Sequence, residues 1–263
     1  MTATMNQSEQ QLYLIRELLA ERGEHAGTEL PAGESERWHL LRALMNVRRA
    51  ALLEPQVQSV QDELLQAMTA AKGVTDANDL PCVQPGLALW QGDITTLRCD
   101  AIVNAANSGM TGCYMPNHAC IDNAIHTFGG MQLRLECSEL MARQGHEEPT
   151  GGAKITSAFN LPARYVLHTV GPIVCSGVTR RDRELLASCY RSCLELAAQH
   201  GLQSVAFCCI STGEFHFPNE QAAQVAVASV KEFMCTPSSV DKVIFNVFKD
   251  VDRDIYARIL NAD

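Results

Sequence analysis

Two thiols and an imidazole crowd one short stretch of this 263-residue chain, Gly112-Cys113-Tyr114-Met115-Pro116-Asn117-His118-Ala119-Cys120-Ile121-Asp122. Cys113, His118 and Cys120 fall within eight residues, and Pro116 between them keeps the segment a loop able to fold around one ion. Two soft sulfurs and one nitrogen suit zinc. A closed structural site takes four ligands, so three leave a position for water or substrate. Chance clustering in a chain with 11 cysteines is the alternative. Asp122 and His126 come next, four apart on a predicted helix, and share the face nearest these donors. The helix dipole favours Asp122 there in any case. His126, more often a packing residue, stays outside the metal set.

Three further loops, each after a predicted strand, hold most of the other informative residues. Gln91-Gly92-Asp93-Ile94-Thr95 follows Leu87 to Trp90; Gly92 permits a tight exit, and Asp93 can accept a hydrogen bond from an amino group. Gly-Asp is also an ordinary turn and Asp93 an ordinary cap. Asn104-Ala105-Ala106-Asn107-Ser108-Gly109 follows Ala101 to Val103, and its two asparagines can bind ribose hydroxyls while the alanines allow close approach. Asparagines at a strand end also satisfy turns. Ser211-Thr212-Gly213-Glu214-Phe215-His216-Phe217 follows Val205 to Ile210. Backbone N–H groups around Gly213 form a candidate nest for a diphosphate, with Phe215 and Phe217 as candidate walls for a ribose. Each loop alone is weak; their convergence on one sheet edge is the argument.

Other candidates carry less. Gly151-Gly152-Ala153-Lys154 lacks the full phosphate-loop spacing and the Ser or Thr after the lysine. A Cys113–His168 nucleophile and base pair is open, although His168 sits in a predicted core strand. Cys189 and Cys193 lie four apart among leucines and read as core, and Cys208 and Cys209 read as strand.

The elements that must position these loops change character along the chain. Leu12, Ile15, Leu18 and Leu19, then Trp38, Leu41, Leu44 and Met45, then Val57, Val60, Leu64, Leu65 and Met68 are helical stripes. They are broken at Pro31-Ala32-Gly33 and Glu54-Pro55. Residues 1–73 therefore read as a helical cap and 74–263 as a second unit. In the latter, Leu87 to Trp90, Ala101 to Val103, Tyr165 to Val170, Val205 to Ile210 and Val243 to Val247 read as buried strands. Ile121 to Phe128, Arg181 to His200 and Asn219 to Phe233 read as helices, with Gly129 and Gly201 ending two of them. Such alternation predicts a largely parallel sheet covered on both faces, with ligands beyond the carboxyl ends of its strands.

Composition bounds the rest. Hydrophobic residues make up 46% and charged ones 19%, with a mean hydropathy of -0.06, enough for a full-sized core. A net charge of -9 leaves no basic reservoir for a nucleic-acid backbone, although single phosphates can be held by helix starts. No apolar run is long enough to cross a bilayer, and the start MTATMNQSEQ is polar. A cytoplasmic monomer with reduced thiols, binding neither nucleic acid nor membrane, is expected.

In order along the chain, Gly92-Asp93-Ile94-Thr95, Asn104-Ala105-Ala106-Asn107, Lys154-Ile155-Thr156, His168-Thr169-Val170-Gly171-Pro172 and Ser211-Thr212-Gly213 resemble the motifs of macrodomains from about residue 75 onward. The Cys and His insertion resembles the zinc-containing subgroup, which carries an N-terminal helical segment and removes ADP-ribose from proteins. The resemblance implies a three-layer α/β/α fold with a mixed, largely parallel central sheet plus an N-terminal helical extension. It implies zinc as cofactor and hydrolysis of mono-ADP-ribose from protein side chains, acidic ones first. A reader module that binds without turnover, and an O-acetyl-ADP-ribose deacetylase, are the alternatives. The subgroup is linked in some bacteria to a sirtuin-type transferase acting on a lipoyl-carrier protein. By the resemblance, Asp93 holds the adenine amino group with the Ile94 backbone, Asn107 contacts the distal ribose, and Ser211, Thr212, Gly213, Glu214 and Phe215 wrap the diphosphate. Asn104, Gly112 and Cys113 complete the expected substrate contacts, and Asn107 and Asp122 are the expected catalytic residues. Glu214 and His216 depart from the usual pattern, which has an apolar residue and a glycine there.

Overall fold

The computed structural model describes residues 5–24 and 29–262. The first four residues of the polar start, 25–28 of the expected cap and residue 263 lie outside the described residues. Three helices come first: α1 (Gln7–Glu21), α2 (Glu34–Val47) and α3 (Pro55–Lys72). Asn6 and Glu9 form a capping box at the start of α1, and Pro55 opens α3 where its missing N–H costs nothing. The helical stripes bury as their spacing predicts, except that Leu14 rather than Leu12 lies in the seam of α1.

The chain continues through β1 (Thr75–Asp76), β2 (Cys82–Gln84), β3 (Leu87–Gln91), β4 (Leu97–Arg98), β5 (Ala101–Ala106), α4 (Ile121–Gly129), α5 (Met131–Gln144), β6 (Ala153–Ser157) and β7 (Tyr165–Val170). It ends with α6 (Arg180–Gln199), β8 (Ser204–Phe207), α7 (Asn219–Met234), β9 (Lys242–Val247) and α8 (Asp250–Asn261). Seven strands form one sheet in the order β2-β3-β9-β8-β5-β7-β6. The inner five are parallel, and the edge strands β2 and β6 are antiparallel. Helices α6, α7 and α8 pack side by side, while α4 and α5 lie with the N-terminal helices. One apolar cluster joins Leu41, Leu64 and Leu65 of those helices to Ile102, Val103 and Val166 of the sheet. Burial of that shared surface supplies most of the drive to hold the layers together.

Several expectations are corrected. β5 runs on to Ala106, so Asn104 is a fully buried strand residue opposite His168 rather than part of a loop. β8 stops at Phe207, so Cys208 and Cys209 begin the following loop; the Cys209 carbonyl takes the Thr212 N–H (3.4 Å) and hydroxyl (3.0 Å), which turns the chain. α5, β6 and α8 have no counterpart in the sequence reading. Lys154 lies in β6 and pairs with the buried Glu148 at 2.9 Å, a structural contact.

Polar groups also tie α3 to the sheet layer. Gln61 is fully buried; its Oε1 accepts the Met131 N–H (2.9 Å) and its Nε2 donates to Gln132 Oε1 (2.7 Å). Asp62 accepts from Gln132 (2.7 Å) and Asn160 (2.6 Å). Gln61→Ala strands two buried groups, so we expect a loss of about 1–3 kcal/mol in unfolding free energy. This reads as a lower urea midpoint with an unchanged slope; an unshifted midpoint would mean that water takes the amide's place.

Candidate active site

Because β3, β8 and β5 run in one direction, the loops that leave their carboxyl ends open on one edge of the sheet. Gly92 is required where β3 ends, since a Cβ there would sit 2.3 Å from the Trp90 ring. Asp93 caps the short 3-10 turn Ile94–Thr96, its Oδ1 accepting from the Thr95 N–H (3.0 Å) and Oγ1 (2.6 Å). Its Oδ2 takes Lys72 Nζ of α3 at 2.9 Å. Burial works against ionisation at Asp93, but the bonds from Thr95 and Lys72 outweigh it and hold the carboxyl below the usual range. Ile94 opens the turn, so its N–H has no partner within it.

After β8, Ser211 and His216 both adopt left-handed backbone, and Phe217 N–H returns to the Ser211 carbonyl at 2.9 Å. The amides of Gly213, Glu214 and Phe215 make no backbone hydrogen bond among the described residues. Three N–H groups without a partner in one turn are a candidate anion nest. Phe215 is half-buried, whereas Phe217 is 1% exposed and belongs to the core, which removes it as a ribose wall.

At the centre lies Asp122, in the first turn of α4 and 5% exposed. Asn104 Nδ2 donates to its Oδ1 (2.8 Å) and Asn107 Nδ2 to its Oδ2 (3.2 Å). Burial raises this carboxyl to about 6, against the pull of the two amides and of Arg134. Asn104 thus spends its amide on Asp122 and on His168 Nδ1 (3.2 Å), out of reach of a sugar. Asn107 remains half-exposed, with its Oδ1 taking the Gly109 N–H at 3.0 Å. Gly112, at φ +84°, passes so close to His126 that a Cβ would lie 2.7 Å from the ring.

The donor atoms of Cys113, His118 and Cys120 lie within 4.8 Å of one another, and Cys113 Sγ is 3.5 Å from His118 Nδ1. For a tetrahedral zinc with its usual bond lengths, a sulfur and a nitrogen ligand are about 3.6 Å apart. The donor set therefore fits that ion in chemistry and in spacing. The other ring nitrogen, His118 Nε2, lies 3.5 Å from Glu214 Oε1, the carboxylate-to-imidazole arrangement that orients metal-bound histidines. Burial pushes the Cys120 thiol up to about 12, so a cation binding there displaces a proton. Cys113 and His168 do not approach as nucleophile and base: the neighbours of His168 are Asn104, Thr156 and Cys137.

The sequence profile of the Macro domain family matches residues 103–226. A protein of Treponema medium named Protein-ADP-ribose hydrolase is 51% identical over 98% of this chain and all of its own length. The chain belongs to the macrodomain family. A Staphylococcus aureus (strain MSSA476) protein of the same name is 47% identical over 95% of each chain. The Trypanosoma brucei macrodomain solved in complex with ADP-ribose is 30% identical, with a TM-score of 0.65 over 83% of this chain and 94% of that one.

This macrodomain also holds polar residues that sequence patterns did not flag. Arg134 of α5, 5% exposed, donates to the carbonyls of Asn46 and Arg48 (both 2.6 Å) at the end of α2. Beneath Asp122, the ligating atoms of His126, Cys137 and His168 lie within 4.8 Å of each other, all buried. His168 accepts from Asn104 at Nδ1, which leaves Nε2 as the donor to Thr156 Oγ1 (2.9 Å); both of its nitrogens are spent, whereas neither ring nitrogen of the buried His126 has a hydrogen-bond partner among the described residues. His126 Nε2 is 3.6 Å from Asp122 Oδ1. A cavity of about 10 Å³ beside it, bounded by Asn46, Met131 and Arg134, has about the volume of one water.

Burial holds both imidazoles neutral, taking His168 down to about 3 and His126 well below its ordinary value, where His168 and Arg134 add to the effect. Unfolded histidines bind protons below about 6.5, so this stability is present above that pH and is lost as pH falls. Each histidine contributes a slope of about 1.4 kcal/mol per pH unit. Asp122 takes up its proton in the folded state near pH 6 and offsets one of them. Denaturant titrations with a chelator present should therefore show stability falling by about 1.4 kcal/mol per unit between pH 6 and 5. Asp122→Asn should steepen this toward twice the slope; a flat profile would mean the imidazoles reach water.

Proposed function

We propose that this protein hydrolyses the bond between mono-ADP-ribose and protein side chains, with a zinc ion held by Cys113, His118 and Cys120. One observation carries the reading: Cys120, a metal donor, caps the very helix whose first turn holds the buried Asp122 carboxylate. Soft donors and base thus share one rim with the anion nest at Gly213. The relatives named Protein-ADP-ribose hydrolase support the activity, and the ADP-ribose complex of the Trypanosoma brucei macrodomain supports the ligand.

In this reading Asp93 accepts the adenine amino group through an oxygen it shares with Lys72, and the Ile94 N–H assists. The Gly213, Glu214 and Phe215 amides take the diphosphate, with Ser211 and Thr212 shaping the turn. Gly112 and Cys113 border the distal ribose, and Asn107 orients it through the second lone pair of its Oδ1. Zinc held by Cys113, His118 and Cys120 would supply positive charge beside the distal ribose, although two thiolates would weaken its acidity and favour a positioning role. Asp122 aligns a water on the anomeric carbon and takes its proton. The carbon–oxygen bond to the side chain breaks as the new one forms, and the electron pair leaves with the side-chain oxygen. A carboxylate-linked ADP-ribose suits this site, because a departing carboxylate is already a stable anion and asks for no strong general acid. A lipoyl-carrier protein modified by a sirtuin-type transferase is the acceptor suggested by resemblance alone. A cytoplasmic setting belongs to the same proposal, supported by 11 free cysteines.

The test pairs turnover on an ADP-ribosylated acidic acceptor with calorimetry of ADP-ribose. Asp122→Asn should slow release by roughly 10²–10⁴-fold with affinity changed only a few-fold. Cys120→Ser and His118→Ala should lose about one zinc per chain and most turnover, again with affinity largely kept. A wild-type protein that binds ADP-ribose tightly yet leaves the label in place would make it a reader, and equal losses of binding and turnover would remove the metal from the chemistry.

A further inference from the structure

The loop that carries the metal donors has no regular structure of its own between β5 and α4, and its shape is set from outside. Arg42 of α2 donates through Nη2 to the His118 carbonyl (3.0 Å) and to Asn123 Oδ1 (2.7 Å), and its Nε lies 3.2 Å from the same oxygen. Asn123, fully buried, passes the grip on: its Nδ2 donates to the Met115 carbonyl (3.0 Å), and its N–H to Cys120 Sγ (3.4 Å). One turn further along α2, Asn46 Oδ1 accepts the Asn117 N–H (3.0 Å), and its Nδ2 donates to Thr127 Oγ1 (3.1 Å). Asn117 is in left-handed backbone at φ 54°, a conformation asparagine tolerates better than most residues. Arg134 of α5, which also holds the carbonyl of Asn46 (2.6 Å), reaches the Cys113 carbonyl (3.4 Å) and lies over the Tyr114 ring at 4.1 Å.

We propose that Arg42 and Asn46 are positioning residues: the N-terminal helix α2 sets the spacing of Cys113, His118 and Cys120, and with it metal retention and the geometry of the reaction. The proposal rests on the metal reading above and extends it to α2, outside the loops assigned to substrate. The alternative is that these bonds merely dock α2. The two differ in what a cut bond does. A docking residue loosens the helices and the sheet layer together, whereas a positioning residue loosens residues 113–120 alone. Asn46 and Asn123 are buried away from bulk solvent, so the loss of a partner is felt by the groups left behind. Arg42 presents a fork to two acceptors, which lysine cannot reproduce as a single point donor.

The experiment compares wild type, Arg42→Ala, Arg42→Lys and Asn46→Leu by three readings. These are amide hydrogen exchange of the metal-free proteins, zinc release to a chromophoric chelator, and ADP affinity. We expect exchange within 113–120 to rise roughly tenfold or more in Arg42→Ala and Asn46→Leu. Zinc retention should fall about 10–100-fold, with ADP affinity within about twofold, unchanged exchange in β5 and β7, and Arg42→Lys between the two. Exchange that is unaltered in the loop, or raised equally in α1, α2, α3 and the sheet, overturns the proposal. If wild-type protein takes up no zinc, the metal reading fails by itself, and the exchange comparison still decides whether α2 shapes the loop.

Discussion

A carboxylate taken out of water keeps its charge only where donors meet it, and Asp122 draws its donors from the strand beside it. Removing an ion from water costs several kcal/mol unless its lone pairs are filled; here Asn104 fills one oxygen from inside β5 and Asn107 the other from just past its end. That requirement explains why a central strand carries a buried asparagine, which strand propensity alone disfavours. It fixes the start of α4 against the end of β5. The intervening residues, 107–120, must then leave the strand, turn over His126 at Gly112 and return to cap the helix. The candidate donors Cys113, His118 and Cys120 sit on that stretch of chain, between the two fixed ends.

The parts of this arrangement that depend on local pattern were legible in the sequence. Val, Ile and Leu runs gave β3, β7 and β9 closely, and the helical stripes gave α1, α2 and α3. The Cys113, His118 and Cys120 spacing predicted a cluster of donors, and the structure brings them together. What stayed hidden depends on pairing across the fold. β6 buries only Thr156 of its five residues, because it is an antiparallel edge strand, and so lacks a run to recognise. The buried face of α5 includes Gln132 and Arg134 among Met131, Leu133 and Cys137, which dilutes its apolar stripe. β5 was cut short at Val103 because asparagine and two alanines resemble a loop; only the register of Asn104 against His168 makes them strand.

The residues that local patterns missed in the site share one property: each acts on a partner tens of positions away. Arg42, Asn46 and Arg134 look like ordinary surface polar residues of amphipathic helices, and no spacing within a helix marks them. A weak signal exists for Arg134, since it interrupts an apolar stripe between Leu133 and Cys137, where a charge is tolerated only with several acceptors in reach. Glu214 shows the opposite case. Its departure from the family pattern was visible in the sequence, but its meaning needed the 3.5 Å approach to His118 Nε2, which joins the Gly213 turn to the 113–120 loop.

The N-terminal helices also complicate any picture of a free-standing macrodomain with a removable cap. They touch the rim at two separated points, Lys72 at Asp93 and Arg42 at His118 and Asn123. Lys72 also lies 3.5 Å over the Phe128 ring, and the Trp38 ring meets the same ring tilted by 36° at 6.0 Å between centroids. Phe128 belongs to α4, the helix that begins with Asp122. Any tilt of α2 and α3 against α4 therefore moves the Asp93 partner Lys72 and the 113–120 loop together, because both are fastened to those two helices. Rigidity of that seam comes from the shared apolar cluster, whose side chains have few alternative packings. The rim at the strand ends is therefore braced by α2 and α3 as well as by the sheet.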